Sequence, residues 1–252
     1  MDVSIIIVNY NTKTLLADCI KSIKEQTKNI EYEIIVSDNG SSDGSKELIC
    51  TQYPDVIYIE NNKNLGFGAA NNAGLNKAQG KYVFYLNSDT LLLNNAVKIF
   101  FDYFEENNKD NSIGALGCNL LDRYGNITAS YDSNFVFKKD FLRFVRDYLY
   151  LWNPRLKNAG KKSFTKYVGP VDVIIGADLF MLNNENARFD EYFFLYHEET
   201  DLQYNNLQKK NLKRLIIDGP EIKHLEGGSN KKTENKYDFI TSFSRMHDRL
   251  SK

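Results

Sequence analysis

Several features that would assign the chain of 252 residues to a special class are scarce or missing. Its three cysteines, Cys19, Cys50 and Cys118, are odd in number and widely spaced, which excludes a disulfide framework or a clustered zinc site and favours reduced thiols. No apolar run reaches about 18 residues, the length of a membrane-spanning helix, and neither a basic leader nor a cleavage signal follows Met1. We therefore expect a cytoplasmic protein that at most associates peripherally with the inner face of the cytoplasmic membrane.

An excess of charge of either sign is also missing, because 32 Lys and Arg stand against 33 Asp and Glu. The formal net charge of -1 provides no overall attraction to nucleic acid, so no nucleic-acid partner is expected. The hydrophobic fraction of 42% is that of an ordinary globular protein. The length is enough for one large α/β domain or two small ones.

Strands and helices alternate regularly through residues 1–90. Short apolar runs rich in β-branched residues predict four buried strands in VSIIIVNY, YEIIVSDNGS, VIYIENN and YVFYLNSDT. The intervening segments predict helices at 14–26, 45–52 and 69–79, the last ending just before Gly80. Because such strands are buried on both sides, the pattern indicates the α/β class, with a mostly parallel sheet and helices on both faces.

The second half of the chain is less regular. It predicts a helix at 94–107, strands in IGALGCNLLD, VDVIIGADLFML and NLKRLIIDGPEIKH, and an amphipathic helix at 237–252. Residues 138–166 hold nine Lys or Arg and two Asp, interleaved with aromatic residues. This basic–aromatic insert is either an acceptor lid or membrane-facing patch, or a pair of surface helices with their charges outward.

Polar residues follow each of the first four predicted strands at its carboxyl end. They are NYN at 9–11, SDNGSSDGS at 37–45, NLGFGAANN at 64–72 and NSD at 87–89. Ligands of open parallel sheets bind at this edge, so four such loops predict a site there. Asp38 would accept a hydrogen bond from a nucleobase or a ribose, or it forms a local turn. Gly66 and Gly68 allow close backbone approach before a helix N-terminus, which attracts phosphate.

Two residues are candidates for holding a divalent cation. Asp89 ends the fourth predicted strand, where a carboxylate suits Mg²⁺ or Mn²⁺ that is also bound by substrate phosphates. The alternative is an Asp that caps the next helix. His224 follows the last predicted strand beside glycines, and its alternative is an ordinary surface or core histidine.

An aromatic run, FFLY, leads into three acids, Glu198, Glu199 and Asp201. These carboxylates repel one another, which leaves two interpretations. One is a solvated helix start, where acids suit the helix dipole. The other is a group in which one acid takes a proton from a substrate.

Seven segments stand in the order and spacing of a known family. They are SIIIVNYNT, IIVSDNGSSDGS, NLGFGAANNAGL, YVFYLNSDT, IIGADLFML, FDEYFFLYHEETDL and HLEGGS. Together they resemble the inverting family 2 glycosyltransferases of GT-A fold, most of all the bacterial rhamnosyltransferase-type members that build O-antigen and capsule. The resemblance covers about residues 3–230.

The resemblance implies a site residue by residue. For binding the nucleotide sugar it implies Val8, Asn9, Tyr10, Asn11, Asp38, Asn39, Asn64, Gly66, Asn72, Asn87, Ser88, Gly176, Ala177 and Asp178. For Mg²⁺ or Mn²⁺ it implies Asp89, in a D-x-D-type motif whose first Asp is replaced here by Asn87, together with His224. In the motif [FY]-E-D-x-D-L, Glu199 takes the position of the general base, Glu198 is its rival and Asp201 is a supporting or helix-capping acid.

The resemblance also implies an activity. A single domain over 1–252 would bind dTDP-rhamnose or a UDP-sugar with 1–92, and would hold the acceptor and the catalytic acids with 93–230. It would transfer the sugar to a hydroxyl of a glycan or of a polyprenyl-diphosphate-linked acceptor in bacterial surface polysaccharide synthesis. Two alternatives stand beside it. A sugar nucleotidyltransferase needs a GxGTR loop, which NYNTKT does not supply, and a catalytically inactive module would bind the nucleotide sugar only.

Overall fold

The structure is a computed structural model that describes residues 1–132, 164–195 and 197–225. The predicted basic–aromatic insert lies outside these residues except for its last three positions, 164–166. The predicted C-terminal helix at 237–252 and the end of the HLEGGS motif also lie outside them.

Strands and helices follow one another in the order that the sequence predicts for the first half. The strands are β1 (Val3–Asn9), β2 (Tyr32–Asp38), β3 (Ile57–Glu60), β4 (Tyr82–Asn87), β5 (Thr90–Leu92), β6 (Ile113–Cys118), β7 (Tyr131–Asp132), β8 (Gly169–Val171), β9 (Val173–Ile174), β10 (Asp178–Leu182), β11 (Lys213–Ile217) and β12 (Ile222–His224). The helices are α1 (Lys13–Gln26), α2 (Ser45–Gln52), α3 (Phe67–Leu75), α4 (Ala96–Asn107) and α5 (Glu198–Leu202), the last continuing into a π-helical turn, Gln203–Leu207.

One large sheet holds eight of the strands in the order β3-β2-β1-β4-β10-β6-β11-β8. Strands β10 and β8 run against their neighbours, and the others are parallel to one another. The mixed, mostly parallel sheet predicted for the α/β class is therefore confirmed. The reversal at β10 brings the amino end of that strand to the edge at which β1, β2 and β4 end.

Alternate residues of the central strands point to opposite faces of the sheet, as the pleat of a strand requires. Ile5 and Ile7 pack in one buried cluster with the apolar sides of α1, α2 and α4. Ile6 packs in a second cluster that includes Leu202 of α5, with Phe67 of α3 against it. Helices therefore cover both faces, as predicted.

Several predicted element boundaries are wrong; for example, the helix predicted at 94–107 begins at Ala96, and the strand in IGALGCNLLD ends at Cys118. The third helix spans Phe67–Leu75 rather than 69–79. Gly80 is not next to the helix end but lies against β1, where a Cβ would lie 2.5 Å from the backbone nitrogen of Ser4. VDVIIGADLFML forms two strands, β9 and β10, broken at Gly176. The last predicted strand is also two, because Gly219, with φ +110°, turns the chain between β11 and β12.

A small second sheet pairs β12 with β5. In its register, His224 lies opposite Thr90, the residue after Asp89. The backbone N–H of Leu225 also donates a 2.9 Å hydrogen bond to the carbonyl oxygen of Asp89. This pairing joins the last described part of the chain to the carboxyl end of β4.

Within the part of the chain that the structure describes, no helix has the length and apolar character needed to cross a membrane.

Candidate active site

The carboxyl ends of β1, β2 and β4 meet at one edge of the sheet. Asn9 is in register with Asp38, and Val8 is in register with Asn87. The loops that the sequence predicts to form a site are therefore adjacent in space. Val8, Tyr10 and Asn87 are half-buried at this edge, where a ligand can reach them.

Asp38 is buried and its carboxylate has defined partners. One oxygen accepts a 2.6 Å hydrogen bond from the Asn9 amide, and the other accepts a 2.8 Å bond from the backbone N–H of Ser41. Burial, with a hydrogen bond to Asp38, raises the pKa of Tyr58. The local turn, one of the two roles considered for Asp38, is thus present, and its contact with a nucleobase or ribose stays a prediction.

Ser41 also lies at this edge, although it was not among the site residues predicted from the sequence. Its hydroxyl oxygen accepts from the Asn9 amide at 3.0 Å and from the backbone N–H of Asn11 at 2.8 Å. Asn11 adopts φ +53° and its side chain accepts from the N–H of Ser42 at 2.9 Å. The Gly- and Ser-rich composition of the loop was the available signal, because such residues bond to nearby backbone.

The close backbone approach predicted at Gly66 is made to another segment of the protein, at Phe194, and not to a ligand. Gly66 has φ +86°, and a Cβ there would lie 2.1 Å from the carbonyl oxygen of Phe194. That oxygen accepts a 2.9 Å hydrogen bond from the N–H of Phe67, at the start of α3. Asn39 holds the same loop, donating to Asn64 at 3.2 Å and to the carbonyl of Gly66 at 3.1 Å. The loop at 64–66 is therefore fixed against the segment that precedes α5.

Asn72 holds the same segment from the interior of α3. Its amide exchanges two hydrogen bonds with the backbone of Phe189, at 2.9 and 3.0 Å, and donates to Glu191 at 3.0 Å. The side chain is buried and engaged in these bonds. Its predicted contact with the nucleotide sugar stays a prediction, whereas its contact with the chain leading to the acids is structural.

Asp89 and His224, the two predicted metal ligands, lie together. The His224 Nε2 atom is 3.2 Å from a carboxylate oxygen of Asp89 and 3.5 Å from the Asn87 amide nitrogen. Asp89 does not cap a helix, because β5 follows it and α4 begins only at Ala96. Both side chains are largely buried. The helix-cap alternative is therefore wrong.

This pair fits a divalent cation that takes its other ligands from a substrate. Carboxylate oxygen suits Mg²⁺ and Mn²⁺, and imidazole is a common ligand of the later divalent metals. Among residues 1–132, 164–195 and 197–225, no group of three or more His, Cys, Asp or Glu could hold a metal ion. A cation held by this pair would therefore need further ligands from outside these residues, such as the phosphate oxygens of a substrate.

Gly176, Ala177 and Asp178 lie where β10 begins. The carbonyl of Ala177 accepts a 3.2 Å hydrogen bond from the N–H of Asn87. A Cβ at Gly176 would lie 3.3 Å from the Phe67 ring and 3.6 Å from the Cβ of Glu199. The dipeptide Gly176–Ala177 thus stands between the strand that leads to Asp89 and the helix that carries the acids.

Asp178, the residue that follows this dipeptide, is fully buried. One carboxylate oxygen accepts a 2.7 Å hydrogen bond from the N–H of Cys118, and the other has no hydrogen-bond partner among the residues described. Burial raises the pKa of Asp178 to about 8 from its ordinary 3.8. Its predicted contact with the nucleotide sugar stays a prediction, and its position is that of a core residue beneath the site.

We expect Asp178→Asn to stabilise the protein at high pH but not at low pH. The folded pKa is above the ordinary value, so the stability linked to the bound proton is present below pH 3.8 and is lost as the pH rises through about 8. The difference in melting temperature between variant and wild type should therefore grow from pH 4 to pH 8. Asp18→Asn, at an exposed position, is the control, and a difference that does not change with pH would contradict the expectation.

The acids Glu198, Glu199 and Asp201 lie in α5. His197, which has φ +68°, immediately precedes this helix. Glu198 is only 3% exposed and Asp201 5%, so the interpretation as a solvated helix start is wrong. Burial raises the pKa of both glutamates, and for Glu198 the neighbouring charge of Glu199 raises it further. Asp201 accepts a 2.7 Å hydrogen bond from the Asn205 amide, which fits a supporting role.

The two glutamates differ in access. Glu199 is half-buried and lies beside Gly176 and Phe67. Glu198 is buried, and no described residue bonds to its Oε2 atom. A group that receives a proton from a substrate must touch that substrate, so the geometry favours Glu199.

Gln203 is a second residue that the sequence reading missed. Its fully buried amide exchanges hydrogen bonds with the backbone of Ile174, at 2.7 and 2.8 Å, and donates to the carbonyl of Glu199 at 3.0 Å. It therefore ties the helix of the acids to the strand leading to Gly176. No local sequence pattern reveals such a contact. The structure shows that Gln203 begins a π-helical turn, and such turns often mark functional sites.

Phe67 was also missed, although it stands inside the NLGFG segment. Its ring packs edge-on against Phe189, with centroids 5.9 Å apart, and faces Gly176. The ring and the Cβ of Glu199 both lie close to Gly176. The signal available in the sequence was its place between Gly66 and Gly68 in a predicted binding loop.

Residues 4–164 match the family model described as Glycosyl transferase family 2. The chain is 33% identical over 121 residues to a poly(ribitol-phosphate) beta-glucosyltransferase of Bacillus spizizenii, covering 46% of this chain and 19% of the relative. It is 34% identical over 119 residues to the poly(ribitol-phosphate) beta-N-acetylglucosaminyltransferase TarP of Staphylococcus aureus, covering 46% and 36%. It is 33% identical over 152 residues to an uncharacterized glycosyltransferase of Methanocaldococcus jannaschii, covering 58% and 52%. The matched regions thus span about half, or less, of each relative's length.

Solved structures share the architecture at low sequence identity. S. aureus TarS 1–349 superposes with a TM-score of 0.62 at 14% identity, over 89% of this chain and 60% of that one. TarS 1–349 in complex with UDP-GlcNAc gives 0.60 at 14%, over 90% and 60%. GalNAc-T7 with UDP, GalNAc and Mn²⁺ gives 0.63 at 17%, over 90% and 45%. These similarities confirm the GT-A-type fold and carry nothing further at this identity.

Proposed function

Because the chain belongs to glycosyl transferase family 2, we propose that it transfers a sugar from a nucleotide-diphosphate donor to a hydroxyl group of a surface-polysaccharide acceptor, with inversion. One observation carries the proposal. The carbonyl of Ala177 accepts a hydrogen bond from Asn87, two residues before Asp89, and a Cβ at Gly176 would lie 3.6 Å from the Cβ of Glu199. A donor bound along the strand ends would thus have its reacting carbon between a phosphate-binding pair and a base.

The donor half of the proposal rests on the edge formed by β1, β2 and β4. Buried Asp38 and Asn9 form a polar cluster there with half-buried Ser41, which suits a base or ribose with fixed hydrogen-bonding groups. The chain resembles solved complexes with UDP and with UDP-GlcNAc. We therefore propose a UDP-sugar ahead of dTDP-rhamnose, with residues 1–92 as the donor-binding part of a single domain.

Glu199 is the proposed general base. It removes the proton of the acceptor hydroxyl as that oxygen bonds to the anomeric carbon, and the electron pair of the breaking bond leaves with the diphosphate. Attack opposite the leaving group inverts the configuration. Glu198, buried beside it with a raised pKa, would hold a proton and so leave the pair with a single negative charge.

Asp89 and His224 are the proposed ligands of Mg²⁺ or Mn²⁺. Such an ion, when bound, supplies stabilisation of the charge that develops on the departing diphosphate. Asn87 lies next to His224 and orients its ring. The protein supplies one carboxylate where a D-x-D motif has two, so the affinity for the ion would depend strongly on the bound diphosphate.

The acceptor is proposed from the relatives and from chemistry. Two relatives carry names that refer to poly(ribitol-phosphate), which favours an anionic surface polymer, and a polyprenyl-diphosphate-linked glycan is the second acceptor class. Residues 93–230 would hold it. The roles predicted for the basic–aromatic insert at 138–166 stay predictions, because most of it lies outside the described residues.

The two alternatives differ in what they release. A sugar nucleotidyltransferase would release inorganic diphosphate, and an inactive module would bind a nucleotide sugar and release nothing. The presence of both Asp89 and Glu199, in the contacts described above, favours a transferase over either.

The test is the release of nucleoside diphosphate. We expect the protein, with Mn²⁺ and poly(ribitol phosphate) or a lipid-linked acceptor, to release UDP from at least one member of a panel of UDP-sugars, and dTDP-rhamnose is included in the panel. Thermal-shift screening of the same panel identifies the donor first, because a ligand at a hundredfold excess over its Kd stabilises the native state by about 2.7 kcal/mol. Donor binding without release for every acceptor would favour the inactive module.

A further inference from the structure

The hydroxyl of Thr12 is not used in the way expected of its position. Thr12 precedes α1 as its N-cap residue, yet its side chain caps no backbone N–H of the helix. The first-turn N–H of Lys13 donates instead to Asp43, at 2.8 Å. The Thr12 hydroxyl oxygen lies 2.6 Å from the amide oxygen of Asn9 and 2.9 Å from the hydroxyl oxygen of Ser88.

The direction of these bonds follows from the groups involved. The Asn9 amide nitrogen faces the Asp38 carboxylate at 2.6 Å, so the amide oxygen faces Thr12 and can only accept. The single hydroxyl proton of Thr12 therefore goes to Asn9. Ser88 must then donate its proton to Thr12, and the Ser88 oxygen presents only lone pairs to its other side.

The result is one directional chain of hydrogen bonds from Ser88 through Thr12 and Asn9 to the Asp38 carboxylate. All four residues are buried, with Ser88 the most exposed at 9%. Hydrogen bonds in a chain polarise one another, and a low local dielectric strengthens them. This hydrogen-bonded chain joins the end of β2 to the loop that contains Asp89. Its Thr12–Ser88 contact links residues that are 76 positions apart in the sequence.

We propose that Thr12 is a positioning residue that couples the nucleoside part of the donor pocket to its diphosphate part. This inference rests on the proposed function, in which Asp38 meets the nucleoside and Asp89 meets the diphosphate. A nucleoside bound at Asp38 fixes the position of that carboxylate. The hydrogen bonds through Asn9 and Thr12 then fix the position of Ser88 and the start of the Asp89 loop. The two parts of the donor therefore bind more tightly together than separately.

The test uses uridine and UDP, each with Mn²⁺, in calorimetric titrations of the whole protein. We expect Thr12→Val, which keeps the shape but removes the hydroxyl, to weaken binding of UDP about tenfold, because it breaks the link from Asp38 to Ser88 and the net contribution of one hydrogen bond is about that factor. Uridine binding should change less than twofold. Thr12→Ser, which restores the hydroxyl, should recover UDP binding, and Thr14→Val, the same change at an exposed residue of α1, should leave both affinities unchanged.

Equal weakening of uridine and UDP by Thr12→Val would overturn the coupling and assign Thr12 a general structural role. Unchanged UDP binding would overturn it as well. If wild-type protein binds neither ligand, and neither thymidine nor dTDP, the proposed donor site itself fails. Thr12→Ala removes the same hydroxyl with a smaller side chain and should reproduce the selective loss of UDP affinity, which keeps the test decisive if Thr12→Val does not fold.

Discussion

Replacing Glu199 with Gln is expected to lower turnover by ~10²–10⁴-fold, the usual contribution of a general base. The amide has nearly the shape of the carboxylate but cannot take the acceptor proton. Glu199 lies beside Gly176, whereas Asp38 bonds to Asn9 and Ser41 at the ends of β1 and β2, so binding of UDP should stay within about twofold. Steady-state turnover and calorimetric binding of UDP, measured on the same preparation, separate the two effects.

Two further variants of the acidic helix serve as matched controls. Glu199→Asp keeps a carboxylate and should retain far more activity than Glu199→Gln. Glu198→Gln should lose less activity than Glu199→Gln, because Glu198 is buried and would already be protonated. Wild-type turnover in a folded Glu199→Gln protein would exclude Glu199 as the base, and the reverse ranking of the two Gln variants would transfer the role to Glu198.

The pH dependence of the same reaction follows from the raised pKa of Glu199. Burial favours the protonated carboxyl, so the pKa lies above its ordinary value of 4.5. Because the base acts only when ionised, kcat/KM should fall as the pH drops through that raised pKa. The acid limb of the wild-type profile should therefore lie above pH 4.5 and be absent from the residual activity of Glu199→Gln.

The second large effect is expected at Asp89. Asp89→Asn removes the only carboxylate of the proposed metal pair, and stabilisation of the leaving diphosphate is worth several kcal/mol, so turnover should fall by ~10²-fold or more. The increase in UDP affinity that Mn²⁺ produces in the wild type should vanish, while UDP affinity without metal should not decrease. Titration of UDP with and without Mn²⁺ measures both quantities.

His224→Gln and Glu106→Gln complete that experiment. His224→Gln should weaken the effect of Mn²⁺ less than Asp89→Asn does, because it leaves the charged ligand in place. Glu106→Gln changes an exposed acid at the end of α4 and should behave like wild type. A Mn²⁺ effect that persists in Asp89→Asn would show that the ion, if it binds, is held elsewhere.

The first half of the fold could be predicted because its information is local. The apolar runs of β1, β2 and β4 and the helical spacing of Leu16, Cys19, Ile20 and Ile23 lie within single elements. Local pattern also located the polar ends of those strands. It misjudged the end of α3, because Gly80, which marked the predicted end, lies against β1 five residues beyond the last residue of the helix.

The rest depends on contacts between distant residues. Nothing in DLFML reveals that β10 enters the sheet in reverse between β4 and β6. The resemblance named Asp89 and His224, but their pairing depends on β12 joining β5. The roles of Thr12 and Gln203 could not be predicted either, because a hydroxyl or amide carries no sign of which distant group it will bond.

The contact of Asn72 with Phe189 has a consequence for how the protein is made. It joins residues 117 positions apart, and closing so long a segment is entropically costly and favours slow folding. A ribosome adds residues from the amino end, so the first strands and α3 exist well before the segment at 189–194 emerges. The helix of the acids can be positioned only after that, so the site is completed only once residues 189–202 have been synthesised.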